Sequence, residues 1–205
     1  MVKVIFWDFD GVILNSMKIK GDGFVELFQG YNILDVQKLE KYHYANGGIS
    51  RFEKIKYFYS EILKKDICED EIMILAEKFR TIIEKKLFDK SNLIYEVIEF
   101  IKENYKKYNF HIVSGAEHDE LNSLCICFDI EQYFLSINGS PTKKAVWVKN
   151  ILEKYNYDKE ETILIGDSIN DYNAANENDV IFYGFNNIEL KQYGNYIDNF
   201  ERFKV

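Results

Sequence analysis

The sequence predicts an α/β protein, a doubly wound and mostly parallel sheet interrupted after its first strand by a helical insertion. Three observations carry that expectation. Five short apolar runs, Val2–Trp7, Phe110–Val113, Phe134–Ile137, Thr162–Ile165 and Val180–Tyr183, are continuous rather than alternating, as strands covered on both faces are. Helical patterns at Leu93–Tyr108, Glu117–Cys127, Thr142–Tyr155 and Ile169–Asn176 separate the last four runs. Between Ser16 and Lys90 no strand pattern stands out, and apolar residues recur at helical spacing.

Taken in order, the first strand, "VKVIFW", ends in the acids Asp8 and Asp10. The insertion follows. Phe24, Leu27 and Phe28 share one helical face, and Phe52, Ile55, Tyr59 and Ile62 share another. The stretch "ANGGIS" divides them, because paired glycines weaken a helix and permit a tight turn. Ser50 then reads as a helix N-cap, with Glu53 placed to complete a capping box. The boundaries are 1–15 and 91–205 for the sheet-bearing core and 16–90 for the helical cap. After Gly184 the pattern weakens to coil or a short closing element.

The chain has 205 residues, enough for one well-cored domain with an insertion. Its composition, 47% hydrophobic, is that of an ordinary globular protein. A formal charge of −8 leaves no basic stripe to release counterions from nucleic acid, so such a partner is not expected. No apolar run reaches membrane-spanning length, and no signal-peptide pattern opens the chain. Cys68, Cys125 and Cys127 have no metal-ligand spacing and read as reduced thiols of a cytoplasmic protein. His43, His111 and His118 likewise lack ligand spacing and read as residues of packed surfaces.

Ligands gather at the carboxyl ends of parallel strands. Asp8 follows the first strand, Ser114 and Gly115 the second, and Gly166, Asp167 and Ser168 the fourth, with Asp171 one helical turn later. If those three strands are neighbours, Asp8, Asp10, Asp167 and Asp171 converge. Two unit charges about 4 Å apart repel by roughly 4 kcal/mol at an effective dielectric of about 20. A cation must relieve that repulsion, and hard oxygen ligands of this type suit Mg²⁺.

"DFDGV" after the first strand, "SG" after the second, a lysine in "SPTKK" and "GDSIND" after a later strand together resemble the four motifs of the haloacid dehalogenase-like hydrolase superfamily. A helical insertion directly behind the first motif resembles its phosphoglycolate phosphatase-like members, which carry a small C1-type cap. The resemblance spans Asp8 to Asp171. It implies a Rossmann-like core and a Mg²⁺-dependent phosphatase that hydrolyses a small phosphorylated metabolite, a sugar, acid or amino-alcohol phosphate, through an aspartyl-phosphate. Asp8 would be the nucleophile. Asp10 would be the general acid and base, its backbone carbonyl binding the metal. Asp167 would be a metal ligand, and Asp171 a ligand or a partner of the ligands. Ser114 and the Gly115 amide would hold phosphoryl oxygens.

Lys143 and Lys144 both follow Pro141, and the family's spacing selects Lys144 as the lysine that neutralises phosphate and holds Asp8. Arg51, just after the glycine turn, is either a substrate-binding guanidinium or a solvated residue at a helix start. A phosphomutase of the β-phosphoglucomutase type would share every motif, and a non-catalytic phospho-ligand-binding protein could keep the fold. Leaving group and oligomeric state stay open.

Overall fold

The computed structural model describes residues 1–204. Six parallel strands form one sheet in the order β3-β2-β1-β4-β5-β6: β1 Val4–Trp7, β2 Asn109–Glu117, β3 Ser136–Ser140, β4 Thr162–Gly166, β5 Ile181–Phe185 and β6 Asn195–Ile197. β1 lies at the centre, with Val4 to Trp7 in register against Asn109 to Ile112 on one side and Thr162 to Ile165 on the other. This explains its unbroken apolar sequence: Ile5 and Trp7 enter one hydrophobic core, Val4 and Phe6 the other, and no face meets water. Trp7 is fully buried among Phe100, Phe110 and Phe200 and is a packing residue.

The core helices are α5 Tyr95–Asn104, α6 His118–Cys127, α7 Lys144–Tyr155 and α8 Ile169–Glu177. Before them, α1 Met17–Leu27, α2 Ile33–Ala45, α3 Arg51–Tyr57 with a π-helical extension over Phe58–Leu63, and α4 Glu69–Leu87 fill the insertion. Their apolar faces meet in a cluster that includes Phe24, Phe28, Leu39, Phe58 and Phe79. The Ser50 hydroxyl accepts the Glu53 amide at the start of α3, as an N-cap should.

Boundaries moved for identifiable reasons. α5 starts two residues late, because the Ile94 amide bonds the Ile13 carbonyl and Leu93 bridges Leu14, which keeps both extended. β3 lies further along than its apolar run: Leu135 only reaches the Phe110 carbonyl, and the strand proper is the polar "SINGS". That composition suits its place at the sheet edge, with a single neighbour. β2 runs on through Ser114 to Glu117 with a register shift against β3. The weakly patterned C-terminal segment contains β6, which pairs Tyr183–Phe185.

Candidate active site

The strand order β2-β1-β4 brings the carboxyl ends of the three motif-bearing strands side by side. Asp8 is the first residue past β1, and its amide is held by the Ile165 carbonyl at 2.9 Å. Asp8, Asp167 and Asp171 each offer a carboxylate oxygen within 4.8 Å of the others. Gly11 makes this approach possible. Its φ is +78°, and a Cβ there would lie 1.9 Å from Asp167 Oδ2.

Lys144, at the start of α7, ties the acids together. Its ammonium lies 2.9 Å from Asp8 Oδ1 and also donates to Asp171 Oδ1. Asp171 Oδ2 accepts the amide and hydroxyl of Ser168, at 3.0 and 2.6 Å. Asp171 is therefore saturated, capping α8 and aiming Lys144. In contrast, Asp8 Oδ2 and Asp167 Oδ1 are buried with no hydrogen-bond partner among the described residues. Burial and the Asp171 charge push Asp8 up to about 7 despite Lys144, and burial with the Asp8 charge raises Asp167 well above the usual carboxylate range. Two orphaned hard oxygens short of positive charge fit a divalent cation.

Asp10 faces the other way. Its Oδ1 accepts the Ser16 hydroxyl at 2.5 Å and its Oδ2 the ammonium of Lys20, from α1. Burial alone would raise its pKa, but the Lys20 charge and these donors outweigh burial and hold it below the usual range. Beside it lies a cavity of about 20 Å³ lined by Asp10, Lys20, His43, Arg51 and Lys54 together with Gly115. Lys54 donates to His43 Nδ1 at 3.0 Å, while His43 Nε2 lies 2.9 Å from the Met17 carbonyl. A carbonyl only accepts, so Nε2 carries the proton and the ring is neutral. Burial, with the Lys54 charge, lowers His43 to about 3; burial, with the Lys20 charge, lowers Lys54 to about 7.

The "NGGIS" turn closes the roof. A Cβ on Gly115 would lie 2.0 Å from the Gly48 carbonyl oxygen, so the insertion rests directly on β2 and only glycine fits there. Asn170 of α8 donates to the Gly47 carbonyl at 2.6 Å from the other side. Two open crevices flank the roof, about 350 Å³ beside Ser140 and Lys144 and about 400 Å³ beside Asp167 and Asn187.

Residues 4–185 match the profile of a family described as haloacid dehalogenase-like hydrolase. The chain belongs to that family. This haloacid dehalogenase-like hydrolase is similar in fold to β-phosphoglucomutase from Clostridium difficile, with TM-score 0.80 and 17% identity over 100% of this chain and 94% of that one. CbbY from Rhodobacter sphaeroides, solved with xylulose-(1,5)bisphosphate, gives TM-score 0.76 and 16% identity over 98% and 96% of the two chains. A predicted phosphoglycolate phosphatase from Haemophilus somnus gives 0.70 and 18%, over 96% and 88%. No curated protein matches the sequence.

Within this haloacid dehalogenase-like hydrolase, Asp8, Asp167, Asp171 and Lys144 come together, whereas the Asp10 carboxylate turns toward the insertion. Lys143 is exposed and lies outside the site. Ser114 is buried on the same rim, its hydroxyl accepting the Ala116 amide at 3.2 Å. Arg51 is not solvated: it is 7% exposed, pairs with Glu120 of α6 and lies 5.2 Å from the Phe79 ring centroid. Sequence reasoning missed Lys20 and His43 as site residues. Each left a signal, a polar residue inside an apolar stripe: Lys20 between Met17 and Phe24, and His43 in line with Val36 and Leu39.

Proposed function

We propose that this hydrolase is a phosphomonoester phosphatase acting through an aspartyl-phosphate, with 16–90 as a cap that opens to admit a small phosphorylated metabolite. One observation carries the reading: Asp8 Oδ2 is buried at the end of the central strand with no hydrogen-bond partner among the described residues, while Lys144 anchors the other oxygen of the same carboxylate. One oxygen of the Asp8 carboxylate attacks phosphorus and the bond to the leaving oxygen breaks. Asp10 is held ionised by Lys20 in the closed site. When the cap opens and Lys20 withdraws, Asp10 takes a proton from solvent and gives it to the leaving oxygen. It then takes one from the water whose oxygen attacks phosphorus as the bond from phosphorus to Asp8 breaks, releasing phosphate. Ser114 and the Gly115 amide hold phosphoryl oxygens, and Lys144 offsets their charge.

A divalent cation, Mg²⁺ by the hardness of its ligands, would be held by Asp8 and Asp167 with the Asp10 carbonyl; Asp171, already bonded to Lys144 and Ser168, would stand behind them. When bound it supplies the positive charge that Asp8 and the phosphoryl group need to approach each other. The thiols of Cys68, Cys125 and Cys127 are free, which supports a reducing, cytoplasmic setting. Among the described residues no helix is long and apolar enough to cross a membrane.

Phosphate release from a panel of phosphomonoesters tests the reading. Activity should require Mg²⁺, stop with EDTA and return with the metal. Asp8→Asn should lower kcat by about a thousandfold or more without loss of fold, and acid-quenched wild-type protein should carry phosphate on Asp8. Near-normal turnover by that variant removes the nucleophile, and isomerised sugar phosphate in place of free phosphate makes the protein a mutase.

A further inference from the structure

Three cations of the insertion line the cavity beside Asp10, and their partners differ. Lys20 is paired with Asp10 and Arg51 with Glu120. Lys54, 4% exposed, has only a neutral ring nitrogen, that of His43, and forms no ion pair among the described residues. A buried ammonium without a counter-anion is costly, and a methionine of similar length would pack there more favourably. The histidine adds to the arrangement: fixed by the Met17 carbonyl, it can only accept from Lys54, so it holds the ammonium in place without neutralising it.

The missing anion is not the transferred phosphoryl group. That group belongs at Asp8 and Lys144, neither of which touches Lys54, whereas the cavity opens on Asp10, which serves the leaving oxygen. Resting on the phosphatase reading, we infer that Lys54, aimed by His43 and seconded by Lys20, is an anion subsite for the leaving group, so that the substrate carries a second negative group, carboxylate or phosphate, close to its ester oxygen. The small volume, about 20 Å³, favours a compact leaving group.

Matched esters test this. In the carboxylate arm, 3-phosphoglycerate is compared with glycerol 3-phosphate, which differ only in carboxylate against hydroxymethyl. In the phosphate arm, 1,3-propanediol bisphosphate is compared with its monophosphate. The expected result is a kcat/KM ratio of about tenfold or more for the anionic member in at least one arm, falling to within about threefold of unity in Lys54→Met. The responding arm identifies the anion. His43→Phe should lower the same ratio, mainly through KM, since it frees the lysine without removing its charge. Lys54→Gln replaces Lys54→Met if the latter does not fold.

Ratios near one in both arms while the neutral esters are hydrolysed overturn the subsite and leave the phosphatase standing. So does a ratio unchanged in the lysine variant. If no ester is hydrolysed, the phosphatase reading fails, and calorimetric titration of Asp8→Asn protein with Mg²⁺ and the same pairs decides the subsite by itself. Tighter binding of the anionic member, lost with Lys54→Met, supports the subsite; equal affinities overturn it.

Discussion

The two walls of this site have opposite electrostatic needs. On the sheet side, Asp8 and Asp171 share one lysine beside Asp167, and two carboxylate oxygens are left buried with no hydrogen-bond partner among the described residues. On the insertion side, Lys20 takes the Asp10 carboxylate, and the buried ammonium of Lys54 rests against a neutral ring. The first wall is short of a cation and the second of an anion. A metal phosphoester whose leaving group is itself charged would satisfy both. The contrast shows that an unsatisfied polar group is most informative when the sign of what it lacks can be stated.

The largest expected effect strikes the sheet wall. Lys144→Met leaves Asp8 and Asp171 buried without their cation, and removing one partner from such a cluster costs about 3–5 kcal/mol. Chemical denaturation should show that loss together with loss of turnover, and an unchanged midpoint would remove Lys144 from its organising role.

Mg²⁺ probes the same wall. Asp8 titrates near 7 when folded against an ordinary 3.8, so the folded state holds its proton longer than the unfolded chain. Stability from this group is therefore lost as pH rises from about 4 to about 7. Added Mg²⁺ should raise Tm little at the acidic end and most near neutrality. Thermal shifts at several pH values check this, and a shift that survives Asp167→Asn places the ion elsewhere.

The insertion wall should respond with the opposite sign. Lys54→Met removes a charge rather than a counter-charge, so the ligand-free protein should gain about 1–4 kcal/mol, as buried ionic groups often yield on apolar replacement. Lys54 titrates at about 7 when folded against 10.5 ordinarily, so its penalty is full below about 7 and fades as pH rises toward 10.5. The gain should fade with it. Destabilisation at neutral pH would mean that Lys54 already has its counter-charge. The smallest effect belongs to the neighbour of the site lysine: exposed Lys143→Ala should change stability by less than about 0.5 kcal/mol and leave turnover unaltered.

Much of this was legible from local pattern. Asp8 and Asp167 could be found because each ends an apolar strand, and strand ends in a parallel sheet share one rim. The choice between Lys143 and Lys144 rested on family spacing, since both sit at the start of one helix; which ammonium reaches Asp8 depends on how α7 is rotated. The polar edge strand β3 was displaced by its apolar neighbours, because hydropathy reports burial more faithfully than pairing. Lys20 and His43 were overlooked because a single polar residue in a helical stripe usually has a packing explanation.

The amino-acid sequence alone determined the alternation of strands and helices, the place of the insertion and the acids at the strand ends, since these follow from short-range periodicity and from motifs a few residues long. Only the tertiary structure decided which side chains face one another across the cleft: Lys20 with Asp10, Arg51 with Glu120, Lys54 with His43. Those pairings join residues of separate elements, and helix rotation and the seating of the "NGGIS" turn against Gly115 are set by packing over the whole chain.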